Sequence, residues 1–299
     1  MKISIGPIQY FWKRDRVFAF YESLLDSPAD VLYLGETVCS KRRELDLGDW
    51  LDIAGSLRKA GKEVILSSLS LIESESELSS LQRITSNADY AVEANDMAAI
   101  QLLSGRKKFV IGPHINIYNQ HSLRLLSLVG ASRWVVPMEI GQHILGDILQ
   151  QRPQEMQVEV FAFGRLPLAF SARCFSARAH NRGKDECGFI CGEHTDGILL
   201  NTQDNQPFLQ INGIQIQSAA TCNLIGHYKE LVSRGIDILR LSPQFEGMPE
   251  IIRILRQVAD GLLDIPTAMQ QLLPFQTHGS CDGYWNGVPG MHQSSAATG

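Results

Sequence analysis

The sequence predicts a (β/α)8 barrel, and three observations lead to this fold class. Short runs rich in Val, Ile, Leu and Tyr alternate with amphipathic segments through the first 150 residues. Eight such runs occur in all, which is the number of parallel strands that closes this barrel. No G-x-G-x-x-G dinucleotide fingerprint follows the first run, which disfavours an open doubly wound sheet. That sheet is the structural alternative.

The predicted elements follow one another as strand and helix. After each β-rich run, apolar residues recur at helical spacing, as Ile53, Ala54 and Leu57 do in the second unit. The first six units have strands at 2–5, 30–34, 63–67, 88–93, 108–111 and 133–137 and helices at 16–25, 50–60, 75–84, 96–103, 122–129 and 141–150. The last two strands are predicted at 158–163 and 235–241, the latter followed by a helix at 248–263.

The organisation we expect is one barrel domain over residues 1–285 with an insertion after strand 7 at about 174–222. Within the insertion, residues 198–220 contain two turn signals between β-rich runs, which predicts a small antiparallel β unit. Residues 286–299 are predicted to be a flexible C-terminal tail, because the chain closes on the small and polar run SSAATG.

The composition excludes several classes of protein. The hydrophobic content of 44% allows a large core, and the net charge of −5 gives no general attraction for nucleic acid. The basic run Lys41-Arg42-Arg43 is interpreted as a solvated loop or helix start. We expect a cytoplasmic protein, because no apolar run is long enough for a signal peptide core or a membrane span.

The six cysteines are the most informative residues. Thiols stay reduced in the cytoplasm, so metal ligation, catalysis or core packing is expected rather than disulfides. In a barrel, the loops that follow the strands share one face, so Cys39 after strand 2 could meet the cysteines after strand 7. The latter are Cys174, Cys187 and Cys191.

The spacing leaves the kind of metal site open. Zinc sites usually use paired C-x2-4-C knuckles, and only Cys187 and Cys191 form a short pair, so dispersed ligands of an iron–sulfur cluster fit better. Cys222 fits core packing and ligation equally well, and Cys281 is the weakest candidate. Two histidines flank the cysteines and are expected to donate or accept hydrogen bonds rather than to bind metal, namely His180 and His194.

The segment 159–176 carries a resemblance to a known family. Its residues EVFAFGRLP, followed by AFSARCFS, resemble the signature of the collagenase-like peptidase U32 family, in which a Glu-x-Phe-x-His-Gly stretch precedes two cysteines. Similar blocks stand at 133–139, 222–224 and 235–240, so the resemblance runs in order from about residue 1 to 260.

The departures from the signature point to one branch. Phe163 stands in place of the histidine, Pro167 in place of the first cysteine, and Met138 in place of an arginine. With Cys39 and the closing residues GYWNGVPGM, this pattern resembles the UbiV branch of the family. The resemblance implies a [4Fe-4S] cluster whose ligands are Cys39, Cys174, Cys187 and Cys191.

The resemblance also implies an activity and a partner. It implies O2-independent hydroxylation of the aromatic ring of prenylated ubiquinone precursors in a heterodimer with a UbiU-like family member, with prephenate as oxygen donor. His114 and Glu139, each just after a strand, are candidate pocket residues, although both also fit exposed loops. The alternatives are a non-catalytic metal-stabilised scaffold subunit and an RNA-base hydroxylase of the same family. A working peptidase is not expected, because no nucleophile and base pair is recognisable.

Overall fold

Eight parallel strands close into a barrel in a computed structural model that describes residues 1–293. The barrel consists of β1 to β7 and β11, and its closing pair joins β11 to β7 with Ile238 opposite Glu159. The strands are β1 Lys2–Ile5, β2 Val31–Leu34, β3 Glu63–Ser67, β4 Ala91–Ala94, β5 Phe109–Ile111, β6 Ala131–Val135, β7 Gln157–Phe170, β8 Ile198–Asn201, β9 Pro207–Asn212, β10 Gln215–Asn223, β11 Ile238–Leu241 and β12 Ser280–Cys281. The predicted barrel is confirmed, and the open sheet is wrong.

Helices follow the strands and cover the outside of the barrel. They are α1 Arg14–Ser23, α2 Leu47–Lys59, α3 Glu75–Thr85, α4 Met97–Leu103, α5 Gln120–Leu128, α6 Gln142–Leu149, α7 Phe175–Ala179, α8 Tyr228–Ser233, α9 Met248–Ala259 and α10 Ile265–Leu272. In residues 1–293, none of them is both long and apolar enough to cross a membrane.

Local capping decides several helix bounds. Helix α2 begins before the predicted residue 50, because the Asp46 side chain accepts from the backbone N–H of Asp49 in a capping box. Helix α9 ends before the predicted residue 263. Gly261, two residues beyond its last residue, has a φ of +72°, a backbone conformation that is left-handed rather than helical.

Strand β7 is much longer than the predicted 158–163. Its first half pairs in parallel with β6 and β11 inside the barrel, and its second half leaves the barrel to pair with β10 in an antiparallel ladder. Strands β10, β9 and β8 continue that ladder and form the predicted small antiparallel unit. The sequence does not predict the second half of β7, because its pairing partner β10 lies far along the chain in the insertion.

The C-terminal segment returns to this ladder. Strand β12 pairs in parallel with β10, so that Cys281 lies opposite Cys222. Of the predicted tail, Asn286 accepts a hydrogen bond from Gln142 at 3.4 Å, whereas residues 294–299 lie outside the described residues. The domain boundary at 285 stays a prediction.

The barrel interior holds a buried polar network in addition to apolar side chains. Ser4 and Tyr33 donate to the two carboxylate oxygens of Glu159 at 2.7 and 2.6 Å. Arg240 donates to Glu93 at 2.7 Å and lies 3.6 Å from Glu159, and Arg133 donates to the Tyr33 hydroxyl at 3.2 Å. Each buried charge therefore has an opposite charge or a hydrogen-bond donor beside it.

Candidate cysteine site and barrel mouth

Cys39 lies in the loop after β2, where the partly buried carboxylate of Glu36 accepts two backbone hydrogen bonds. Glu36 accepts from the backbone N–H groups of Val38 and Cys39 at 2.8 and 3.0 Å. Burial raises the pKa of Glu36, although Arg42 and these two hydrogen bonds oppose the shift. One side chain thereby holds two consecutive backbone N–H groups of the loop that carries Cys39.

The other three cysteines lie in that segment. Cys174 caps the short helix α7, and its sulfur accepts from the backbone N–H of Ala177 at 3.4 Å. Cys187 and Cys191 are separated by a sharp turn in which Gly188 and Phe189 have φ values of +59° and +56°. The positive φ of Phe189 is unusual for a residue with a side chain, and it lets the short pair of cysteines turn back together.

The four predicted ligands line one cavity. Its empty volume is about 350 Å³, and its lining includes Cys39, Cys174, Cys187 and Cys191 with Lys41, Arg42 and Lys184. Burial raises the pKa of Cys39 and of Cys191, and Arg42 partly offsets both shifts. Within residues 1–293, no group of three or more His, Cys, Asp or Glu side chains is arranged so that it could hold a metal ion. Metal ligation by the four cysteines therefore stays a prediction.

Arg42 corrects the interpretation of the basic run as solvated. Its side chain is buried, while Arg43 is exposed as expected. Arg42 donates to the backbone oxygen of Gln9 at 3.1 Å and to the Asn212 side chain at 2.7 Å, and its Nε is buried without a partner. A single sequence carries no signal for this burial, because it depends on β9 packing over the loop.

Two ion pairs attach the cysteine segment to the barrel loops. Lys41 contacts Asp185 at 2.5 Å, and Lys184 contacts Glu73. Lys184 also donates to the backbone oxygen of Ala172 at 3.1 Å. Such partly exposed pairs contribute little stability, so they mark where the segment contacts the loops rather than what fixes it there.

The flanking histidines and the remaining cysteines lie elsewhere. The rings of His180 and His194 face each other with centroids 6.1 Å apart, and neither lines the cysteine cavity. Cys222 and Cys281 are buried opposite each other on β10 and β12, also outside that cavity. Geometry therefore separates four cysteines from two.

A second cavity opens at the carboxyl ends of the barrel strands, where barrel enzymes place their active groups. His114 lines it with Glu93 and Arg240, and so do the departure positions Met138 and Pro167. Burial lowers the pKa of His114 to about 4, and its ring lies edge-on to Phe170 at 4.6 Å. The imidazole is thus neutral at neutral pH.

Two other residues singled out from the sequence, Glu139 and Phe163, do not line this cavity at the barrel mouth. Glu139 is exposed and accepts a hydrogen bond from Tyr118 at 3.3 Å, so its interpretation as an exposed loop residue is the correct one. Phe163, which replaces the signature histidine, is fully buried in the core. The position therefore carries an apolar packing residue and no polar group.

The sequence matches Peptidase family U32 over residues 18–294, which is most of the chain. The chain belongs to this family. This U32 member also resembles solved structures at low identity. A U32 peptidase aligns with 11% identity, a TM-score of 0.46 and coverage of 82% of this chain and 93% of that one.

Two further structures come from other enzymes. A phospho-2-dehydro-3-deoxyheptonate aldolase from Thermotoga maritima aligns with 12% identity, a TM-score of 0.37 and coverage of 87% and 70%. The Bacillus cereus spore cortex-lytic enzyme SleL aligns with 14% identity, a TM-score of 0.40 and coverage of 86% and 75%. At these values the likenesses carry no inference about the chemistry of this U32 member.

Proposed function

We propose that this U32 chain is an iron–sulfur subunit of the UbiV type. In this proposal it binds a [4Fe-4S] cluster through Cys39, Cys174, Cys187 and Cys191. Together with a UbiU-like partner it takes part in the O2-independent hydroxylation of the aromatic ring of prenylated ubiquinone precursors. The observation that carries the proposal is that these four cysteines, drawn from two distant loops, line a single cavity.

The chemistry of the donors fits the cluster. Thiolates are soft ligands that select iron–sulfur clusters, Cu(I) or zinc, and clusters are commonly held by four cysteines. Among the described residues, the cavity lining contains neither carboxylate nor histidine. Three cations line it instead, and they would offset the negative charge of deprotonated thiols.

The cluster, when bound, would supply one-electron transfer. The chain's own residues would position the cysteine sulfurs and balance their charge. Arg42 would donate to Cys191 and hold positive charge against the sulfurs, and α7 would present the backbone N–H of Ala177 to Cys174. The ion pairs of Lys41 with Asp185 and of Lys184 with Glu73 would link residues 184–185 to the loops that follow β2 and β3.

The barrel mouth is the proposed place for the aromatic ring or its oxygen donor, for which prephenate is the candidate. Its neutral His114 can donate or accept one hydrogen bond there. Because Phe163 and Pro167 are not polar, we assign the oxidative chemistry mainly to the partner subunit and electron transfer to this chain.

The test is anaerobic purification of six single Cys→Ala variants, with iron and acid-labile sulfide measured per chain. We expect four iron atoms per wild-type chain for the [4Fe-4S] cluster. We expect loss of most iron and sulfide at Cys39, Cys174, Cys187 and Cys191. Cys222→Ala and Cys281→Ala are the matched controls, since both thiols are buried but lie outside the cavity. Loss of iron at Cys222 would overturn the ligand set.

A second measurement separates cluster chemistry from scaffolding. Near-stoichiometric zinc without acid-labile sulfide would support a metal-stabilised scaffold. Co-expression with a UbiU-like chain should give a co-purifying complex and ubiquinone in anaerobic cells. Wild-type ubiquinone levels with an iron-free Cys39→Ala variant would contradict the redox role.

A further inference from the structure

The buried side chain of Arg165 lacks a carboxylate partner. It lies on the second half of β7, opposite Thr221 of β10, and is 8% exposed. Its guanidinium donates to the Asp196 backbone oxygen at 3.0 Å, to the Thr277 hydroxyl at 2.9 Å and to the Tyr10 hydroxyl at 3.4 Å. Among residues 1–293, no carboxylate oxygen lies within 4.0 Å of it, so these neutral groups are its only partners.

A buried charge with only neutral partners is costly, and such groups are usually paired. Arg133 and Arg240, on barrel strands β6 and β11, follow that rule, since both contact buried carboxylates, whereas Arg42 also has only neutral hydrogen-bond partners. Arg165 instead lines a cavity of about 190 Å³. A cavity of this size has room for a small ligand rather than for a drug-sized one.

Further buried polar groups around Arg165 also lack partners. Nε2 of the buried Gln276, next to Thr277, forms no hydrogen bond. Gln210 donates to the Asp196 backbone oxygen at 2.7 Å, but its own oxygen has no partner. Unsatisfied buried groups are rare in folded proteins, but these glutamines do not line the cavity, so Arg165 is the group that points to a ligand there.

We propose that this cavity binds a small organic carboxylate, with Arg165 as its counter-ion. The Tyr10 hydroxyl beside the guanidinium can donate to the same anion. Phe245 and Phe275 also line the cavity and suit a cyclic or aromatic body. The site shares no lining residue with the cysteine cavity and does not depend on the cluster.

The charges at the cavity favour a monoanion over inorganic phosphate. Asp196 and Glu246 also line it, and their carboxylates would repel a doubly charged ligand more strongly than a singly charged one. Glu246 is 84% exposed and only 4.0 Å from Arg16, so water screens much of its effect. One guanidinium matches one carboxylate in charge and in its paired geometry.

The test is calorimetric titration of the whole chain with benzoate, its neutral isostere benzamide and inorganic phosphate. We expect benzoate to bind at least about tenfold more tightly than benzamide, because a hydrogen-bonded charge pair contributes that much. Arg165→Gln should remove the preference, and Tyr10→Phe should weaken benzoate binding by a smaller factor. Arg124→Gln, which changes an exposed arginine on α5, is the matched control.

Each outcome decides the proposal. Equal affinity for benzoate and benzamide, equal benzoate affinity in wild type and Arg165→Gln, or tighter binding of phosphate than of benzoate would overturn it. If Arg165→Gln does not fold, the wild-type comparison and Tyr10→Phe still decide. Cys39→Ala should still bind benzoate, because the two cavities share no lining residue. Failure of the carboxylate proposal is therefore distinguishable from failure of the cluster proposal.

Discussion

Replacement of Arg240 with methionine should strongly destabilise the barrel. The guanidinium contacts Glu93 at 2.7 Å and Glu159 at 3.6 Å, and both carboxylates are fully buried. Without it, Glu159 keeps Arg133 at 3.8 Å, but Glu93 keeps only neutral donors, namely Ser67 at 2.7 Å and Asn95 at 3.2 Å. Removing one partner of a buried ion pair costs about 3–5 kcal/mol. That is a large share of the roughly 5–15 kcal/mol that stabilises a typical domain.

The size of this loss should depend on pH. Burial alone would raise the pKa of Glu93, but Arg240 and the hydrogen bonds lower it below its ordinary value of 4.5. In the wild type, Glu93 therefore adds stability above the unfolded pKa and loses it as pH falls. In Arg240→Met the folded pKa rises instead, so stability is lost as pH rises. The difference between the two proteins should thus be larger at about pH 7.5 than at about pH 5.

The assay is urea unfolding followed by circular dichroism at both pH values, with the m-value checked for constancy. Arg253→Met is the matched control, since that exposed arginine pairs with Glu250 on the surface of α9, and we expect a change within about 0.5 kcal/mol. A second substitution, Glu93→Gln, should recover part of the loss in Arg240→Met because it removes the uncompensated charge. A loss below about 1 kcal/mol at neutral pH would refute the reasoning.

Three further predictions concern single residues. His114 should titrate at about 4, because burial lowers its pKa, and a midpoint near 6.5 in its ring NMR signals would contradict its desolvation. Gly164→Ala should lower the free energy of unfolding, measured by thermal unfolding, by about 1–3 kcal/mol. The φ of Gly164 is +126°, and an added Cβ would lie 2.5 Å from the side chain of Ser242. Gly55→Ala in α2 is the control and should not destabilise the protein, because its added Cβ meets no atom within 4 Å. Cys281 should resist iodoacetamide at about pH 8 until the chain unfolds, because burial raises its thiol pKa to about 12, and rapid alkylation measured by mass spectrometry would argue against that burial.

Much of the barrel could be predicted because strand and helix patterns are local. Strands β1 and β3 have the predicted bounds, and the run at 30–34 differs from β2 by one residue. Closure of the sheet was harder to predict, since it rests on the pairing of β7 with β11 across a long insertion. Helix α2 begins earlier in the structure than predicted, because the capping side chain of Asp46 stabilises an earlier first turn.

The candidate site also has features that local sequence predicts and features that depend on tertiary packing. The sequence singled out the four cysteines, and the barrel face explains how Cys39 lines a cavity with the three that follow β7. Arg42 and Arg165 could not be identified as buried, because a charged side chain is solvated by default and only its neighbours in the fold decide otherwise.

The sequence by itself therefore determined the order of elements, the family signature with its departures, and which thiols could act together. These properties depend on residue type and local spacing. The tertiary structure decided that Arg42 lies against the cysteine cavity and that Arg165 lines a separate cavity without an ion-pair partner of its own. It also decided that Cys222 lies opposite Cys281 on neighbouring strands, away from the cysteine cavity. Burial and charge pairing depend on which distant segments pack together, and that is a property of the closed fold.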